Sequence, residues 1–183
     1  SSHQPYAIPE EWKGKFPKGS LEIHESIGYV DQMLKEYFQK AAEKDWFKNT
    51  IFIITADHTQ KLESDKFNNT VGRFRVPLLI YAPGHQWQNV NTSQVSHHAD
   101  IPKTILDFVE VGDEKLPLTG RSLFRDGQGV AVYRDNAQFG LLSDKNLYTL
   151  TDGEGNISTY DWETGTTHDT KSDEAKRLRA YLQ

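Results

Sequence analysis

Asp57 and His58 stand side by side directly after the apolar run IFIITA. Together they offer what a sulfur-free divalent cation site needs, a carboxylate for charge and an imidazole for a borderline-soft nitrogen. Inside a strand, neighbouring side chains point to opposite faces, so this pair can share a ligand only where the strand has stopped. Ligands of open α/β sheets bind just outside strand ends, which makes a metal or anion site the first expectation. A capping aspartate beside a solvent-facing histidine explains the same dipeptide.

Further along, Arg73 and Arg75 alternate onto one face at the start of a second apolar run. They could grip an anionic headgroup in a bidentate fork or simply pair with a nearby carboxylate. His97 and His98 could form a second metal site, although a surface histidine pair is the favoured reading. Asp31 falls on the polar side of a helical stripe, and Trp12, Trp46, Trp87 and Trp162 read as packing residues rather than a sugar platform.

The bulk properties narrow the chemistry. The 183 residues carry a net charge of −5 with no basic block, so nucleic acid is not an expected partner. With no cysteine there is no disulfide, thiolate ligand or cysteine nucleophile, and any metal is held by oxygen and imidazole. No apolar run approaches the roughly 20 residues that span a bilayer. The start SSHQPYAIPEE lacks the layout of a signal peptide.

The elements that must position these residues are legible in outline, and they indicate an α/β fold. Pro5, Pro9, Gly14, Pro17 and Gly19 mark an opening loop. Ile23, Ile27, Val30, Leu34, Phe38 and Ala41 then recur at helical spacing, predicting a helix from Ser20 or Leu21 to about Lys44. TIFIIT and VPLLIYA read as strands apolar on both faces, the pattern of central parallel strands. A polar stretch without periodicity separates them. Asp100 is the expected N-cap of a helix over IPKTILDFVEV, with Pro102 in its first turn. GVAVYR, QFGLLS, KNLYTL and NISTYDW predict an antiparallel meander, and SDEAKRLRAYLQ a terminal helix. Strands apolar on both faces need helices above and below. With only two or three clear helices available, exposed apolar surface or self-association is expected.

SSHQPYAIPEEWKGKFP, IHESIGYVDQMLKEYF, WFKNTIFIITADHT, VGRFRVPLLIYAPG and HADIPKTILDFVEV occur in an order that resembles the sulfatase-like branch of the alkaline phosphatase superfamily. Within that branch the run most resembles the lipoteichoic acid synthase-like phosphoglycerol transferases, and ADH followed by G-x-x-x-x-P-L-L-I is its most specific part. The resemblance implies the carboxyl-terminal part of an alkaline phosphatase-like α/β/α sandwich at 1–112. A small antiparallel sheet with a C-terminal helix then follows at 113–183.

It also implies that Asp57 and His58 bind a catalytic cation, manganese or magnesium in a transferase and calcium in a sulfatase. His3, in the S-H-x-P segment, would lie at the substrate phosphate; Arg73, from its place at the start of the second apolar run rather than from the resemblance, is the further candidate for binding it. The family's nucleophilic threonine and an acidic metal ligand are expected upstream of Ser1, so the isolated chain is expected to be inactive. The parent is expected to be membrane-anchored and to act on the extracytoplasmic face or in the periplasm. Its substrate would be a phospholipid headgroup, a glycan phosphate or a sulfate ester. The implied reaction is metal-assisted displacement through a phospho-threonine. A sulfatase fragment and a catalytically silent binding domain are the alternatives; ADHT in place of the ADHG usual in sulfatases leans toward the transferase.

Overall fold

The structure is a computed structural model that describes residues 3–60, 62–87, 90–112, 116–143, 146–151 and 154–169. They fall into two compact units, Ser1–Ile53 with Leu79–His85, and Ile54–Leu78 with Gln86–Gln183.

The first unit is built on one long helix, α1 (Ile23–Ala41), close to the span its apolar spacing predicts. His24 starts it by turning its Nδ1 back to accept the Ser20 and Leu21 amides at 3.1 and 3.3 Å, satisfying donors that no helical carbonyl can reach. The opening loop is tied to this helix by the Gly14 amide, which donates to Glu25 Oε1 at 2.6 Å. Trp12 stacks on Phe16, and Phe16 meets Tyr29 edge-on. The helix is glycine at position 28 because a Cβ there would sit 2.8 Å from Phe16 Cβ. At the other end Phe38 packs 4.9 Å from Phe52 and 5.9 Å from Tyr81. The tryptophans pack against neighbouring rings, as expected.

Strand β1 (Phe52–Thr55) and strand β2 (Leu78–Tyr81) form a two-stranded sheet. Their direction departs from the expected parallel arrangement. Phe52 stacks on Tyr81 in the first unit, while Thr55 Oγ1 donates to Pro77 O at 2.7 Å in the second. The end of β1 therefore lies beside the start of β2, and the two run antiparallel. Nor are they buried on both faces, since Leu79 is 54% exposed. Apolar composition reports what a strand can bury and is silent on the direction of its partner.

In the second unit the polar stretch after β1 contains an unanticipated short helix, α2 (Thr70–Arg73), capped by Asn69 Oδ1 accepting the Gly72 amide at 2.9 Å. Only glycine fits at 72, because a Cβ would lie 2.1 Å from Phe67 O. Helix α3 (Asp100–Phe108) forms where expected but is shorter. Asp100 is not its N-cap: Ala99 holds that place in helical geometry. The buried Asp100 carboxylate instead accepts the His97 amide at 2.8 Å and the Arg121 amide at 2.9 Å. Thr104, fully buried, donates to Asp100 O and accepts from the Leu123 amide, fastening the 121–123 segment along the helix.

Strands β3 (Val130–Asp135), β4 (Gln138–Ser143), β5 (Asn146–Thr151), β6 (Glu154–Tyr160) and β7 (Thr167–Asp169) form an antiparallel meander in chain order. Four were legible as alternating runs; the three-residue β7 was not. One face carries Leu142, Leu147 and Tyr160 onto Val71 and Val95, with Ala131, Tyr133 and Trp162 packed around them. The opposite face exposes Val132, Phe139 and Leu141. The terminal helix expected over SDEAKRLRAYLQ lies outside the described residues. Among those described, no helix is long and apolar enough to cross a membrane.

Candidate functional site

Strand β1 stops at Thr55, and the next residues leave the sheet. Both side chains of the Asp57-His58 pair are exposed, by 88% and 61%. The His58 amide donates to Asp57 Oδ1 at 2.9 Å, which fixes the carboxylate. The ring is fixed by its Nδ1, 2.9 Å from Thr59 O. A carbonyl can only accept, so Nδ1 carries a proton, and in the neutral ring Nε2 keeps its lone pair. That Nε2 faces Asp57 Oδ2 at 3.6 Å, too far for a hydrogen bond. In the neutral ring, a lone pair and a carboxylate oxygen presented to the same space repel one another unless a proton or a metal cation lies between them. This donor pair thus fits a divalent cation. It is an incomplete set, since no group of three or more His, Cys, Asp or Glu able to hold a metal occurs among the described residues.

The antiparallel pairing brings the start of β2 to the same sheet end. Thr59 Oγ1 donates to Arg73 O at 2.5 Å, joining the loop after the pair to the end of α2. Arg73 has its guanidinium 4.0 Å from Asp135, a long and exposed ion pair. Arg75 takes another course, its guanidinium lying over both Phe67 and Trp162 at 5.4 Å from each ring centroid. His98 Nε2 is 2.9 Å from Ala56 O, one residue before Asp57, and His97 Nε2 is 3.1 Å from Val132 O. The two histidines are fastened to separate main-chain segments and do not converge on a second metal site. The role of His98 was invisible in the sequence because its partner lies 42 residues away.

His3 belongs to the first unit, where its Nδ1 is 2.8 Å from Gln4 O and its carbonyl accepts the Tyr6 amide. A cleft of 590 Å³ among the described residues contains none of Asp57, His58 or Arg73. It lies along α3, where Arg125 and Ser122 hydrogen-bond to Asp107 and hold its carboxyl below the usual carboxylate range. Of its charges, Asp107 and Arg125 are engaged with one another.

Comparison with known proteins agrees with this architecture. The sulfatase family model matches residues 1–111, well over half of the chain. The chain belongs to the sulfatase family. Its fold is that of the alkaline phosphatase superfamily, as in the crystal structure of a superfamily protein from Vibrio parahaemolyticus (TM-score 0.80, 27% identity). The similarity covers 100% of this chain and 45% of that one, so this sulfatase-family chain spans less than half the length of its structural relative. The matched stretch contains His3, Asp57, His58, Arg73, Arg75 and His98, and the relative's fold extends over the β3–β7 sheet as well.

Proposed function

We propose that this chain supplies the Asp57-His58 arm of a metal-dependent phosphoglycerol transferase or phosphodiesterase. The observation that carries this reading is the 3.6 Å approach of the His58 Nε2 lone pair to Asp57 Oδ2 at the exit of β1. Asp57 contributes charge and His58 a neutral nitrogen to a divalent cation, with manganese or magnesium matched to phosphoryl chemistry and calcium to a sulfate ester. When bound, such a cation lowers the pKa of an attacking hydroxyl and screens the phosphoryl oxygens. Arg73 adds positive charge at the same sheet end, and His3 donates a proton to the leaving oxygen.

The nucleophile, a threonine that becomes phosphorylated, and a further acidic ligand come from sequence other than these 183 residues. The ester is a phospholipid headgroup or glycan phosphate at the extracytoplasmic side of a membrane, and the parent is membrane-anchored. Sulfate ester hydrolysis is the second reading, favoured by the family match itself.

The test is a manganese titration of the chain followed by paramagnetic broadening of the His58 ring resonances. Binding is expected for the native sequence and lost in both Asp57→Ala and His58→Ala. Unchanged binding in both variants overturns the assignment. In the intact parent, Asp57→Ala is expected to abolish metal-dependent turnover of phosphodiesters, and full retained rate would sink the role.

A further inference from the structure

Several arginines in the second unit have their donors engaged. Arg121 donates to Gln94, Ser122 and Arg125, Arg125 to Asp107, and Arg134 to Asn136 O. Arg75 departs from this pattern. Among the described residues its guanidinium has no hydrogen-bond or ion-pair acceptor, yet it lies over two aromatic rings. Ring faces attract the cation without consuming in-plane N–H donors, so among the described residues none of the five is taken.

The surroundings are built to keep that arrangement. Gly165, at φ 75°, lets the 161–165 turn press onto the 66–69 turn; a Cβ there would lie 2.1 Å from Lys66 O. This contact helps bring Trp162 and Phe67 to the same side chain. Asp161, an acid within this turn, is committed to the Glu163 and Thr164 amides, which hold its carboxyl below the usual range. Lys66 Nζ lies 5.7 Å from the same Phe67 centroid.

We propose that Arg75, stacked on Phe67 and Trp162, is an oxyanion-binding site for a tetrahedral phosphate or sulfate group. It lies just before β2, the strand whose start adjoins the exit of β1. The identity of that oxyanion as part of the ester substrate rests on the proposed function; the binding itself does not. A planar fork matches two oxygens of such a group at once, which an ammonium cannot do.

The experiment follows the Trp162 indole N–H by NMR while the metal-free chain is titrated with inorganic phosphate and, separately, with inorganic sulfate. A saturable shift is expected. It is lost in Arg75→Ala, weakened about tenfold or more in Arg75→Lys, and unchanged in Arg134→Ala, whose guanidinium also rests on a ring at 5.2 Å from Phe139. Arg75→Lys keeps charge and stem, and retained amide dispersion in its spectrum separates lost binding from lost fold. The tighter of the two anions identifies the ester class. The proposal is overturned if the native chain shows no saturable shift, if Arg75→Ala binds as well as the native chain, or if Arg134→Ala loses binding equally. Because no metal is present, Asp57→Ala is expected to leave the shift intact even where it abolishes manganese binding.

Discussion

At the residue scale, short-range hydrogen bonds prepare the Asp57-His58 pair. The His58 amide holds one carboxylate oxygen and Thr59 O sets the tautomer, so a lone pair and a negative oxygen share one side of the loop. His98 extends this support. It donates from Nε2 to Ala56 O, while neighbouring His97 is fastened to the buried Asp100 through its amide. Groups that orient metal ligands in this way typically tune affinity by roughly ten- to a hundredfold. His98→Ala is therefore expected to weaken manganese binding about tenfold with little change in melting temperature. His98→Gln, whose amide nitrogen can replace Nε2, is expected to recover most of the affinity. Equal affinity in native and His98→Ala chains would remove His98 from the site.

At the element scale, α3 matters through what it holds. Asp107 on this helix accepts from Ser122 Oγ at 2.6 Å and from Arg125 Nε at 2.8 Å, and these bonds lower its pKa. A carboxyl depressed on folding adds stability above its unfolded value of 3.8, and that stability is lost as pH falls toward the depressed folded value. The native chain is thus expected to lose stability below about pH 4 more steeply than Asp107→Asn. Urea midpoints at pH 5 and pH 3 for both chains measure this, and parallel losses would show that the bonds are not coupled to folding. At pH 7 the variant is expected to be less stable by about 1 to 2 kcal/mol, at the lower end of charged hydrogen bonds because Arg125 is 75% exposed.

At the scale of the whole molecule, the chain leaves apolar surface open in each unit taken separately. The first exposes Ile27 and Leu79, and the second exposes Val132 and Phe139 on one face of the β3–β7 sheet. Neighbouring strands bring Val132 opposite Leu141, so the exposed side chains of that face form a patch rather than scattered points. Concentration-dependent self-association is expected on size-exclusion chromatography, reduced by a Val132→Lys, Phe139→Lys double variant. A clean monomer across the concentration range would contradict it.

The sequence by itself determined the elements whose signal is local. Helical spacing set α1, alternation with turn residues set β3 to β6, and apolar runs ending in turn chemistry set β1 and β2. It also placed Asp57-His58 where a strand must end, since alternation forbids neighbours inside a strand from sharing a ligand. The short α2 was readable in principle from Asn69 three residues before Gly72, a capping signal masked by the polar stretch around it. Tertiary structure alone decided the antiparallel β1–β2 pairing, and with it the arrival of Arg73 beside Thr59. It alone turned Asp100 from a helix cap into a buried anchor, brought His98 to Ala56, and closed Phe67 and Trp162 on Arg75. Each of these joins segments far apart in the chain, and propensity and periodicity report only what a residue meets within a few positions of itself.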